Sequence, residues 1–212
     1  ALIHAERPDV RFVMVGDATL EAADLEGETR REAERLGVPV IFTGFRPDAP
    51  RVAAAFDVYV VPSLYEGLGR ALTEAMASAR PVVATAVNGV PDLVAPGVTG
   101  LLAAPRDPAG LASAVLWMLD HPRDAARMGL QGRELVRAHF ARKVMCDALD
   151  ELYSGLLGLP VHAMSGQVGV DALPEQVRRT AADDSLRQPV PPSYGVYADR
   201  RTHRTNGEPS VL

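Results

Sequence analysis

Along the chain, short apolar runs alternate with longer stretches in which apolar positions recur every three or four residues. The runs are "VRFVMVG", "VPVIFTG", "VYVVPS", "PVVATA" and "TGLLAA". Each is rich in β-branched residues and bounded by turn-forming residues, the signature of short buried strands. Between them the spacing predicts helices over 20–36, 70–79 and 108–119, with a short turn of helix near 50–55. Pro108 stands at a favourable first helical position. The opening "ALIHAERPDV" reads as a helix that ends near Pro8. Strand and helix in strict alternation predict an α/β domain, a parallel sheet with helices on both faces.

After residue 121 the strand signal stops. Residues 122–157 keep helical spacing, with Met128, Leu130, Leu135, Val136, Phe140, Val144, Leu149, Leu152 and Leu156 as the apolar positions, and predict a helical carboxy-terminal cap. Beyond about residue 160, stretches such as "RQPVPPSYG" and "HRTNGEPS" scatter Pro, Gly and polar residues. Such a composition buries too little apolar surface to offset the entropy of ordering. The expected organisation is therefore an α/β domain over 1–157 and a disordered tail over 158–212, in which "PEQVRRTAADDSL" could form a turn or two of helix.

Composition narrows the classes of function. The 212 residues are 47% hydrophobic and 23% charged, ordinary for a globular core, with a net charge of -5 and no dense basic block. Nucleic acid is not an expected partner. Cys146, the single cysteine, can form no internal disulfide and is expected as a small hydrophobe in a helix. No apolar run reaches the roughly 18 to 20 residues that span a bilayer, and no targeting signal is visible, so a cytoplasmic location is expected. His4, His121, His139, His162 and His203 lack ligand-like spacing, so no metal site is expected. Trp117 follows helical spacing and is expected in the core. "GDATLEAADLEGE" has a strand-end glycine, Gly16, but not the three-glycine dinucleotide fingerprint.

The candidate chemistry lies in "EGLGRALTEAM", residues 66–76. A strand ends near Pro62, a loop carries Ser63, Glu66, Gly67 and Gly69, and a helix begins near Arg70. In open parallel sheets ligands sit outside the carboxyl ends of strands, where glycine-rich turns bring backbone N–H groups and a helix amino terminus up to a phosphate. An ionised Glu accepts two hydroxyl donors at once, so Glu66 and Glu74 suit a sugar nucleotide. On the glutamate pair alone, a simple complement to the helix dipole is the favoured reading.

The downstream order of motifs reverses that preference. "EGLGRALTEAM" is followed by "PVVAT", then "GVPD", then "GVTGLL". This ordered set resembles the carboxy-terminal nucleotide-binding domain of the retaining, GT-B-fold glycosyltransferases, over about residues 1–157. Gly89 keeps the second glycine of the family's G-G-x-P-E pattern, with Asn88 before it and Asp92 in place of the common Glu. The resemblance implies a Rossmann-like sheet. It implies that Glu74 holds the ribose hydroxyls, that Glu66 lies against the donor sugar, and that the backbone N–H groups of Leu68, Gly69 and Arg70, next to Gly67, meet the diphosphate or sugar. Phe45 and Arg46 would border the base, and Gly16 would edge the nucleotide pocket.

The implied reaction transfers a sugar from a nucleoside diphosphate to an acceptor hydroxyl with retained anomeric configuration, without a further cofactor. Glu66 is assigned to positioning at the reacting sugar rather than to covalent attack. Relatives clamp the diphosphate with an Arg and a Lys ahead of the opening helix and hold the acceptor on an amino-terminal domain. Neither is found in these residues, so the chain is expected to be part of a longer transferase that lacks here its first strand and that domain. Two alternatives stand beside this one. A GT-B-fold epimerase or phosphorylase is disfavoured by the "EGLGRALTEAM" loop, and a phosphorylase by the position of the only lysine, Lys143. The other is a non-catalytic module that binds a nucleotide or a partner.

Overall fold

A computed structural model describes residues 1–16 and 24–157. The tail over 158–212, and the first residues of the helix expected to begin at 20, lie outside the described residues. Five strands are present: β1 (Phe12–Met14), β2 (Val40–Phe42), β3 (Tyr59–Val61), β4 (Val82–Thr85) and β5 (Leu101–Ala103). Eight helices accompany them among the described residues: α1 (Leu2–Glu6), α2 (Leu25–Arg35), α3 (Ala49–Ala53), α4 (Arg70–Ala77), α5 (Val90–Leu93), α6 (Pro108–Asp120), α7 (Pro122–His139) and α8 (Arg142–Leu157). All five strands fall on the five apolar runs.

All strand pairing is parallel, but it forms two blocks rather than one continuous sheet: β1 with β2, and β3–β4–β5. Among the described residues β1 and β3 each pair on one side only. The expectation that every run is buried does not hold for β1, β2 and β3. Met14, Ile41 and Val60 are 45%, 55% and 37% exposed, whereas β4 and β5 are buried throughout. A strand hydrogen-bonded on both sides and covered on both faces reads as a continuous apolar run, and β4 has that environment.

Period-two alternation divides the core around β4. Val82 and Ala84 face one cluster with Leu72 and Met76 of α4, Leu102, and Leu135 and Val136 of α7. Val83 faces the other, with Leu101, Trp117 and Met118 of α6, and Met128. Helices therefore cover both faces, and α7 contributes to both clusters. Asp107 caps α6, its carboxylate accepting from Gly110 N–H at 2.8 Å, and Pro108 follows at the first turn. Trp117 is buried as expected, and His121 stacks on it at 4.3 Å while its Nδ1 lies 2.8 Å from the Trp117 carbonyl.

The helical region after residue 121 is two helices, broken at Phe140–Ala141. In α7, Met128, Leu135 and Val136 are buried, while Leu130 is exposed. α8 buries no residue, and Met145, Leu149, Leu152, Tyr153, Leu156 and Leu157 are all exposed. Cys146 lies on this helix, as expected, and is exposed. Its neighbours at one-turn spacing are themselves uncovered. Lys143 pairs with Asp147 at 2.6 Å. No helix among the described residues is long and apolar enough to cross a membrane.

Candidate functional site

The strand-to-helix connection after β3 is built by contacts from three directions. At its end, Gly69 is the amino-terminal cap of α4 with φ of +74° and ψ of 68°. That left-handed conformation disfavours side chains, and a Cβ there would also come within 3.3 Å of Glu66 Cγ and Leu72 Cβ. No side chain caps α4 and its first turn carries no acidic residue. The opening N–H groups of this eight-residue helix thus keep the donor capacity that suits an anion.

Within the loop, the Ser63 hydroxyl donates to Glu66 Oε2 at 3.0 Å, which fixes the direction of a half-buried carboxylate. Thr85, buried at the end of β4, donates its hydroxyl to the carbonyls of Ser63 and Val61 and so ties the loop's start to the neighbouring strand. From the turn after β4, Asn88 Oδ1 accepts from Glu66 N–H over 3.5 Å, and Gly89 abuts the Gly67 carbonyl. Gly67 and Leu68 are exposed at the crest of the loop.

Glu74 lies on the second turn of α4, with 40% of its side chain exposed and Arg70 Nε 3.9 Å away. The Arg70 side chain itself is almost wholly in solvent. Burial pushes the Tyr59 phenol above its ordinary range, and the negative charge of Glu74 adds to the shift. Glu74 also lines a groove of about 420 Å³ between α4 and α7, together with Thr73, Ala77, Arg133, Val136, Arg137 and Phe140. Glu66 and Glu74 therefore sit on one loop-and-helix unit, as expected, but differ in environment. One is tied to a serine within the loop, and the other borders an open groove.

A second group gathers at the carboxyl ends of β1 and β2. Gly16, with φ of +131°, donates its N–H to the Gly44 carbonyl at 3.1 Å and pairs with Gly44 in an isolated bridge. The next residues along are Phe45, 75% exposed, and Arg46. Arg46 is held by both oxygens of Asp48, at 2.7 and 2.8 Å, and this pairing raises its pKa. Its guanidinium is thus already partnered inside its own loop. The site residues fall into two groups on the two strand blocks: Glu66 to Arg70 with Glu74, and Gly16 with Phe45 and Arg46.

Against known proteins, the profile described as glycosyl transferases group 1 matches residues 1–121. This chain belongs to that family. It is 37% identical over 134 residues to 2-deoxystreptamine glucosyltransferase of Streptomyces kanamyceticus, covering 62% of this chain and 34% of that protein. It is 33% identical over 156 residues to the lipopolysaccharide core biosynthesis mannosyltransferase LpsB of Rhizobium meliloti, covering 71% of this chain and 44% of that one. Among solved structures, Anabaena Alr3699/HepE in complex with UDP-glucose superposes with a TM-score of 0.67 and 30% identity, over 73% of this chain and 44% of that one. The chain thus spans less than half the length of each of these glycosyltransferases, and its fold is Rossmann-like, of the GT-B type.

The spacing of the glutamates located the loop but not what holds it. Ser63, Asn88 and Gly89 stand in the motifs, but their contacts with Glu66 and Gly67, and the tie from Thr85, join uncharged groups that the spacing does not connect. The one available signal was the Asn-Gly pair directly after a strand, which marks a tight turn at the same end of the sheet. Among the described residues no cluster of His, Cys, Asp or Glu could hold a metal ion.

Proposed function

We propose that this glycosyltransferase chain binds a nucleoside-diphosphate sugar over the loop between β3 and α4. Glu74 takes the ribose hydroxyls and Glu66 the hydroxyls of the donor sugar. The N–H groups of Leu68, Gly69 and Arg70, beside Gly67, meet the diphosphate. Gly16, Phe45 and Arg46 border the nucleoside. The observation that carries this reading is the Ser63–Glu66 hydrogen bond of 3.0 Å beside an α4 amino terminus that no side chain caps. A carboxylate with a fixed direction is set next to a helix end with donors to spare.

In the reaction we propose, the sugar leaves the diphosphate through an oxocarbenium-like state and joins an acceptor hydroxyl with retention. Negative charge grows on the departing diphosphate, and backbone donors already aimed there stabilise it without having to reorganise. The acceptor is proposed to bind a part of the protein outside these residues, since the relatives are more than twice as long as the span they share with this chain. The experiment is calorimetric titration of the chain with UDP, GDP and ADP. Glu74→Ala removes up to two charge-assisted hydrogen bonds and is expected to weaken the preferred nucleotide by about tenfold to a hundredfold. Absence of binding to all three nucleotides, or an unchanged Kd in the variant, refutes the reading.

A further inference from the structure

Gly89 has no conformational reason to be glycine. Its φ of -79° and ψ of -4° are ordinary right-handed helical values that any residue adopts. Its reason is contact: a Cβ there would stand 2.7 Å from the Gly67 carbonyl oxygen, a separation that real structures avoid. That oxygen belongs to the residue directly after Glu66. The preceding residue, Asn88, sits at φ of +44°, a conformation Asn tolerates, and its Oδ1 faces Glu66 N–H. The two residues of one turn thus touch the two residues of the loop on which the donor sugar is proposed to rest.

We propose that the Asn88–Gly89 turn is a positioning element that sets the height and direction of Glu66 toward the sugar. Thr85 ties the loop's start to β4, the strand from which this turn emerges. The end of β4 therefore fixes both sides of Glu66, and the position of that carboxylate depends on how closely two backbones approach. Any side chain at 89 drives the Gly67 carbonyl outward and carries Glu66 with it. The proposal rests on the donor-site reading, yet it makes a separate claim about the loop without ligand.

The test uses the full 212-residue chain and its Gly89→Ala variant. In the absence of nucleotide, amide exchange of residues 63–69 is expected to quicken in the variant. UDP-glucose affinity is expected to fall by about tenfold or more, since misplacing a contact group by an ångström is costly. Affinity for UDP, which lacks the sugar that Glu66 addresses, is expected to change by less than about threefold. A uniform structural defect would weaken both ligands alike, and that result overturns the proposal, as does unchanged loop exchange. Should the wild-type chain bind neither ligand, the donor-site reading fails, and the exchange measurement alone decides the positioning claim.

If Gly89→Ala does not fold, Asn88→Gly provides a second route. It suits the positive φ, removes the carboxamide, and is expected to quicken exchange at Glu66 and Gly67. Asn88→Asp restores an acceptor at the same place and is expected to restore the protection. Equal exchange in Asn88→Gly and wild type overturns the proposal.

Discussion

Replacing Gly129 by Ala gives a sharp test of how α4, the helix that carries Glu74, is seated. Within a helix this change normally stabilises by about 1 kcal/mol, because Ala loses less backbone entropy than Gly. At this position the sign should reverse. A Cβ on Gly129 would lie 2.4 Å from the Ala79 carbonyl oxygen, 3.0 Å from its carbonyl carbon and 3.1 Å from that of Arg80. All three are backbone atoms of the turn between α4 and β4, and Ala79 is already held at φ of 56°, so no rotamer change relieves the clash. Overpacking of this kind costs about 1–3 kcal/mol, and a backbone neighbour places it in the upper half of that range. Offset by the propensity gain, the net loss is about 1–2 kcal/mol, which lowers Tm by roughly 2–8 °C for a domain of this size. Thermal unfolding followed by circular dichroism measures it. Gly155→Ala on α8, where a Cβ meets nothing within 4 Å, is the control and should melt no lower than wild type. A Gly129→Ala protein melting at or above wild type would refute the reasoning, because the close approach of α7 to that turn would then be compressible.

Three other outcomes are expected. Thr99 is fully buried, donating to the Leu93 carbonyl at 3.0 Å and accepting from Ala95 N–H at 2.8 Å, so Thr99→Val should lose about 1–3 kcal/mol in urea unfolding by leaving both groups without a partner. Asp107→Ala removes the cap of α6 and should cost about 1 kcal/mol, whereas Asp107→Ser should recover most of it. The Tyr59 phenol has a folded-state pKa raised above its ordinary value, so the stability tied to its neutral form is complete below pH of about 10 and is lost as pH rises toward the folded value. Urea midpoints of wild type should therefore fall between pH 9 and 11 more steeply than those of Tyr59→Phe, and equal slopes would count against the buried phenol.

The pattern of apolar runs was enough to place all five strands, because each run is local and bounded by turn residues. What it could not place was their pairing. Val13 and Val83 look alike in sequence, yet one lies on a half-open strand and the other in a fully covered one. That difference depends on neighbours far away in the chain. α5 was missed because its four residues begin with Val90–Pro91 and read as the continuation of an Asn-Gly turn. The break at Phe140–Ala141 was hidden by helical spacing that continues across it. In the site, the two glutamates and Gly69 were legible because charge and glycine stand out. The resemblance implies that Arg46 borders the base, but its pairing with Asp48, two residues away, is not legible in that motif. Such short-range pairing competes with any ligand and leaves no mark in the hydrophobic pattern.

Among the described residues no strand pairs with the second flank of β1 or of β3, and this bears on how the chain behaves in a test tube. Each offers a row of amide donors and acceptors along "FVM" or "YVV", segments with no charge inside the strand to repel a newcomer. Any extended peptide of suitable length can zip onto such a margin, another molecule of the same kind included. Crowded solutions of the chain should therefore drift toward fibrous precipitate, and dilution or a soluble strand mimic should slow that drift.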